Sequence, residues 1–336
     1  MTGERAVTTY GSAIREGFVH LLRNHPEVFV IGQGVWSPWY VGNTMTDLDI
    51  EFGRERVIDS PVSEAACTGV AVGAAIAGRR PIVVHPRMDF MILAVDQIVN
   101  QAAKWSSMFA GRAAAPVVIR GIINRGGQQG AQHSQALHAW FAHVPGLRVV
   151  MPATPLDARD LLVSAVLCGD PVLYIDDRWL YDCRGDLPAE PDAKAIFGGP
   201  RVRRPGEDVT LVGAGYSAYL ADQAAATLAK EGVSAEVIDL RMINPLDVSA
   251  IVESVEKTGR LVAVDGGWTS CGLAGEIIAA VVERVEPGTL RASPRRLTLQ
   301  DVPAPTSRVL ESAYYPKAED LVRLVREVLE TAGREA

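Results

Sequence analysis

The sequence predicts an α/β protein of two domains, a larger N-terminal one built on a parallel sheet with helices on both faces and a smaller α/β one after it. Three observations carry this. At 336 residues the chain is long enough for two cores. Strand-like apolar runs alternate with helical patterns along most of its length, the pattern of a parallel sheet. Between Cys183 and Asp208 that alternation stops, and CRGDLPAEPDAKAIFGGPRVRRPGED, rich in Pro, Gly and charge, reads as a connection. The expected division is residues 1–190, a linker at 191–208, and residues 209–336.

The elements follow in order. Residues 11–24 form an amphipathic helix, and 28–31 a short apolar strand ending in Gly32-Gln33-Gly34. Asp59-Ser60-Pro61 is a turn and helix-start signal, followed by a run of Ala, Gly and Val that Gly78 and Pro81 close. Residues 80–84 are a strand, and 94–109 a long helix with Ala94, Ile98, Ala102 and Trp105 on one face. Strands at 117–120, 147–150 and 172–175 flank a helix at 155–167. In the second domain strands are expected at 209–212, 235–238 and 261–264. Helices are expected near 218–230, 245–255, 272–285 and 321–330.

Composition removes some functions. The chain is 48% hydrophobic and 22% charged, an ordinary globular balance. A net charge of −7 and a pI near 5.5 argue against nucleic-acid binding through a basic surface. No apolar run is long enough to span a bilayer, and the N-terminus has neither a signal core nor transit character, so a cytoplasmic protein is expected. Cys67, Cys168, Cys183 and Cys271 form no C-x-x-C pair and show no zinc spacing, which suits free thiols.

Several segments could carry chemistry. The first is DSPVSEAACTGVAVGAAIAGRRP, residues 59–81, a helix with a bare small-residue surface and Glu64 in its first turn, beside the positive end of the helix dipole. By itself such a glutamate is a helix-start residue, stabilising by ~0.3–1 kcal/mol. The second is HPRMDFMILAVDQIVNQAAKW, residues 85–105, with Phe90 26 residues after Glu64. Its basic pair, His85 and Arg87, suits either a surface strand end or contact with a substrate carboxylate or phosphate. The third is GGQQGAQHSQALHAWFAHVPGLRVVMPATP, residues 126–155, where a glycine-rich loop leads into Gln132-His133-Ser134-Gln135. His138 and His143 read as packing or surface residues. GAGYSA at 213–218, with Asp239 beyond, mimics a dinucleotide fingerprint, but any strand-to-helix turn can use two glycines. Trp268, in DGGWTSCGLAGEI, reads as an interface anchor.

These blocks, in this order and spacing, resemble the β subunit of the E1 component of 2-oxoacid dehydrogenase complexes (pyruvate and branched-chain type), a thiamine-diphosphate (ThDP) family related to transketolase. The resemblance runs from Tyr10 to Glu330. It implies a transketolase-type pyrimidine-binding domain followed by a transketolase C-terminal domain that binds no nucleotide. It assigns Glu64 to the aminopyrimidine ring, where a carboxyl group promotes the imino form that activates the cofactor. It places Phe90 against that ring, Val62 and Pro86 beside the cofactor, and His133 over the reactive carbon. His85, Arg87 and Arg125 become candidate substrate contacts. A K⁺ ion held by the backbone of Val117, Ala165, Cys168 and Asp170 is a further implication.

One absence shapes the rest. Enzymes of this kind bind the diphosphate through Mg²⁺ with a G-D-G motif followed by Asn-Asn, and this chain has neither. It is therefore expected to supply only the pyrimidine half of a ThDP site. An α-type partner would carry the diphosphate and Mg²⁺, in an α2β2 assembly serving a lipoyl-bearing acyltransferase or carrier. Three alternatives stay open: a split transketolase-like enzyme moving a two-carbon ketol unit, with His85, Arg87 and Arg125 on a phosphate; a scaffolding homologue; and, weakest, a nicotinamide-binding enzyme using Gly213 and Gly215.

Overall fold

The computed structural model describes residues 6–331, which form two compact units. The first comprises residues 6–125 and 133–198, and the second comprises residues 126–132 and 199–331.

In the first unit six strands lie in the order 148–150, 172–177, 118–123, 80–85, 28–32, 57–59, every neighbouring pair parallel. Two adjacent interior strands, Val118–Ile123 and Val172–Asp177, are buried at every residue, as a sheet covered on both faces requires. Tyr10–Asn24 turns Ala13, Ile14, Phe18 and Leu21 inward, with Thr9 capping its start by accepting from the Ser12 amide at 3.2 Å. It packs on Pro155–Leu167, which begins with proline at its first position and Thr154 accepting from the Asp157 amide at 3.1 Å. Glu64–Ile76 buries Thr68, Ala71, Val72 and Ala75, and leaves Val70 and Ile76 exposed.

Two departures from the sequence reading have physical causes. The helix expected over 94–109 divides into a 3₁₀ turn at Ile92–Ala94, a π turn at Gln97–Ala102 and a short α-helix at Trp105–Met108. Ala94, Ile98 and Ala102 are all buried, so the apolar face is real, but its strict four-residue spacing drifts around an α-helix of 3.6 residues per turn. A widened turn keeps such residues closer to one line. The segment 191–208 is not without structure, since Arg201–Arg204 forms an edge strand of the second unit, antiparallel to Ala235–Asp239. Polar and basic side chains disguise it, as they do on many edge strands.

The second unit has strands in the order 295–299, 261–268, 209–213, 235–239, 201–204. Its closing helix Ala318–Thr331 places Leu321, Val325 and Val328 against Leu220, Ala221, Ala224 and Leu228 of Tyr216–Ala229. Gly213 is needed for packing, because a β-carbon there would lie 2.8 Å from the Ser217 carbonyl carbon. Asp239 is fully buried, with its carboxylate accepting from the Arg241 amide at 3.0 Å and 3.6 Å from Arg203. It is thus held internally rather than offered to a ribose. The Trp268 indole donates to the Val302 carbonyl and the Tyr314 hydroxyl, both at 3.0 Å. Among the described residues no helix is long and apolar enough to cross a membrane.

A fully buried guanidinium sits in the centre of the first sheet. Arg120 donates to both oxygens of Asp176, at 2.8 and 2.7 Å, and to the Tyr181 hydroxyl at 3.1 Å, while Tyr181 donates to Asp176 at 2.6 Å. Removing one partner would leave the other as an uncompensated buried charge. Arg120→Ala is expected to destabilise this unit by about 3–5 kcal/mol, measured by urea denaturation. A loss below about 1 kcal/mol would show that the pair is not structurally required.

Candidate active site

Parallel strands release their loops on one side of a sheet, and here those loops enclose a cavity of about 280 Å³. It is walled by residues from the ends of strands 28–32, 57–59, 80–85 and 118–123, and by the start of Glu64–Ile76. Gly32 permits a close strand crossing, since a β-carbon there would lie 2.3 Å from the Val84 carbonyl oxygen. Asp59 ties two strand ends together by accepting from the Gly34 amide at 2.5 Å.

Glu64 is the first residue of its helix, and Ser63 before it makes no side-chain cap. The Glu64 side chain lines the cavity and has no hydrogen-bond or ion-pair partner among the described residues. Phe90, on the short helix Met88–Met91, lines the same cavity and meets the His133 ring edge-on, with centroids 5.1 Å apart at 74°. Pro86, Arg87, Cys67 and His133 complete much of the wall. The structure therefore brings together Glu64, Pro86, Phe90, His133, His85 and Arg87.

It does not bring in two other candidates. Val62 is 68% exposed and lies outside the cavity lining. Arg125, expected as a substrate contact, is buried in an ion pair with Asp177 at 2.7 Å, its guanidinium over the Trp179 ring at 4.7 Å. It belongs to the unit's packing rather than to the cavity. Of the residues considered for K⁺, Val117 has its carbonyl bonded to the Val172 amide at 3.0 Å. The Ala165 carbonyl accepts from the Cys168 thiol at 3.3 Å, and Asp170 pairs with Arg148 at 2.7 Å. Burial pushes the Cys168 thiol up. Among the described residues no three His, Cys, Asp or Glu side chains group as a metal site.

The basic pair read from the sequence also divides. His85 is buried, and its Nε2 lies 3.2 Å from the Thr68 hydroxyl on the neighbouring helix. Burial lowers its pKa to about 4, so it is neutral at pH 7 and offers no positive charge to a substrate. Arg87 is the cation of the pair. Its Nη1 donates to the carbonyls of Asn124 at 3.4 Å and His133 at 3.3 Å, and the Asn124 side-chain amide, assigned the orientation that satisfies its donor neighbours, turns its oxygen to it at 3.2 Å.

Sequence reasoning missed Asp89, which is almost wholly buried and accepts from the Gln135 amide at 2.9 Å. It thereby fixes the backbone two residues beyond His133. Burial raises its pKa. The available signal was an acid inside an otherwise apolar run. Thr68, Asn124 and Gln33 were also missed, being common residues whose role comes only from position.

The residues present fit the pyrimidine half of ThDP. An unpartnered carboxylate, an aromatic ring and an imidazole face one cavity of suitable size. The fold and site define a transketolase-type cofactor-binding subunit. Residues 7–182 match the transketolase pyrimidine-binding domain and residues 198–321 the transketolase C-terminal domain. The chain is 44% identical over 276 residues to the β subunit of acetoin:2,6-dichlorophenolindophenol oxidoreductase from Cupriavidus necator, covering 82% of this chain and 81% of that one. It is 38% identical over 324 residues to the mitochondrial pyruvate dehydrogenase E1 component subunit beta of Mus musculus, covering 96% and 90%. The structure of a split-gene transketolase, an inactive β4 tetramer, superposes with a TM-score of 0.76 at 22% identity, over 98% of this chain and 99% of that one, a likeness of fold. The chain belongs to the transketolase-related family of ThDP-dependent enzymes, in the branch of E1-type β subunits.

His85 generates a test. A histidine with a folded pKa near 4 and an unfolded value near 6.5 leaves the unfolded state binding more protons between those limits. Stability is therefore lost as pH falls from 6.5 towards 4. His85→Gln, which keeps a partner for Thr68, should remove about 2 kcal/mol of the loss between pH 7 and pH 5. Urea denaturation of both proteins at the two pH values measures this, and equal losses would contradict it.

Proposed function

We propose that this chain is the β subunit of a heteromeric ThDP-dependent 2-oxoacid dehydrogenase, active only with an α-type partner. The observation that carries the reading is the convergence of Glu64, Phe90 and His133 on one cavity, in a chain whose sequence lacks the diphosphate motif. Bound ThDP supplies a nucleophilic carbon and an electron sink for carbon–carbon cleavage next to a carbonyl. Glu64 would hold the aminopyrimidine and exchange a proton with its ring nitrogen. Phe90 would pack against that ring, contributing about 0.5–1.5 kcal/mol beyond burial, with Pro86 beside it. His133 would hold or move a proton at the reacting carbon, steadied by Phe90 and by the Asp89–Gln135 bond.

The partner would bring the diphosphate and Mg²⁺, in an α2β2 heterotetramer in the cytoplasm. The acyl unit would pass to a lipoyl-bearing acyltransferase. A K⁺ ion is proposed at the 165–170 turn, where the Ala165 and Asp170 carbonyls both face the Cys168 thiol. A second reading, cleavage of a hydroxyketone, draws support from the C. necator relative, whose name gives acetoin as its substrate.

The chain alone, supplied with ThDP and Mg²⁺, should not reduce a dye with a 2-oxoacid, and adding the α-type chain should restore the reaction. Glu64→Gln in the reconstituted pair should lower turnover by about 100-fold or more. Activity of the isolated chain, or full activity of the variant, would overturn the reading.

A further inference from the structure

Arg120, Arg125 and Arg87 all belong to the first unit, and their surroundings differ. Arg120 has Asp176 and Arg125 has Asp177, both at 2.7 Å. Arg87 lines the cavity, and its hydrogen bonds run from Nη1 alone to neutral oxygens, at 3.2 to 3.4 Å. Among the described residues its Nε and Nη2 have no hydrogen-bond partner, and no carboxylate lies within ion-pair distance. The Asn124 side-chain oxygen that faces Arg87 also faces Arg178, at 2.9 Å, so two cations share one neutral acceptor. Asp89, the acid whose charge Arg87 feels, is turned to the Gln135 amide instead.

A half-buried guanidinium with an open face and no counter-ion is suited to a bidentate anion. The cofactor's diphosphate is assigned to the partner chain, which leaves the substrate as the source. The carboxylate lost in decarboxylation is a poor candidate. A cation bound to that group favours the ground state over a transition state in which its charge is leaving, and so raises the barrier. The anion that Arg87 can usefully hold is one that stays on the substrate throughout.

We propose that Arg87 is the specificity residue of this site and selects substrates carrying a second, persistent anionic group, a carboxylate or a phosphate, remote from the reacting carbonyl. The proposal rests on the E1-type reading above and narrows its substrate class. His85, neutral beside Thr68, takes no part in the recognition.

The test uses the reconstituted α–β complex with ThDP and Mg²⁺. Pyruvate and 2-oxobutyrate supply neutral tails, 2-oxoglutarate a carboxylate tail and xylulose 5-phosphate a phosphate tail. The expected result is a kcat/KM at least tenfold higher for one of the two anionic-tailed substrates, which also identifies the group. Arg87→Gln should reduce that preference by about tenfold or more, chiefly through KM, and Arg87→Lys should restore part of it. Calorimetric binding of glutarate or glycerol 3-phosphate to the complex should weaken about tenfold in Arg87→Gln. A wild-type complex that handles pyruvate as well as either anionic-tailed substrate would overturn the proposal whatever the variants do. An equal loss on every substrate in Arg87→Gln would also overturn it, as the mark of a merely structural residue. A wild-type complex that bound no ThDP would instead overturn the E1-type reading itself.

Discussion

Strand direction decides where chemistry can sit in the first unit. All six strands are parallel because helices on both faces return the chain, so every strand releases its following loop on the same side. Glu64 follows the strand at 57–59, and Arg87 and Phe90 follow the strand at 80–85. Asn124 and, across the glycine-rich segment, His133 follow the strand at 118–123. Apart from Arg87 and Phe90, which share one turn, these residues are far apart in sequence and are not brought together by local structure. Their meeting in one cavity is a consequence of topology, as at the carboxyl ends of other open parallel sheets.

Charge is distributed around that cavity with a clear division of labour. Arg120 and Arg125 are neutralised by aspartates on the neighbouring strand, Asp176 and Asp177, and these pairs stiffen the sheet just behind the site. Such pairs hold position because losing either partner is costly. Glu64 and Arg87, which both line the cavity, have no ion-pair partner among the described residues. His85, which the sequence presents beside Arg87 as an equal, is removed from this set by burial alone.

Much of this was legible in the sequence, for reasons that differ by residue. The apolar strands at 28–32, 80–85 and 172–177 and the helix at 155–167 announce themselves by composition and by Thr154-Pro155. Glu64, Phe90 and His133 were recognisable because they stand in family motifs. What stayed hidden depends on neighbours. No sequence pattern tells that Arg125 meets Asp177 while Arg87 meets no carboxylate, or that His85 is buried against Thr68. The π turn at 97–102 was hidden because its four-residue apolar spacing also passes for an ordinary helix. The edge strand at 201–204 was hidden because RVRR carries the charge that edges need.

The start of the helix Glu64–Ile76 forms one wall of the cavity. Its exposed small residues Ala66 and Gly73 leave a bare surface along the helix. The most direct test is an experimental structure of the α–β complex with ThDP bound. The aminopyrimidine is expected within hydrogen-bond distance of Glu64, packed against Phe90, with the diphosphate and its metal ion on the partner chain. A cofactor whose pyrimidine lies elsewhere, or whose diphosphate is held by this chain, would contradict it.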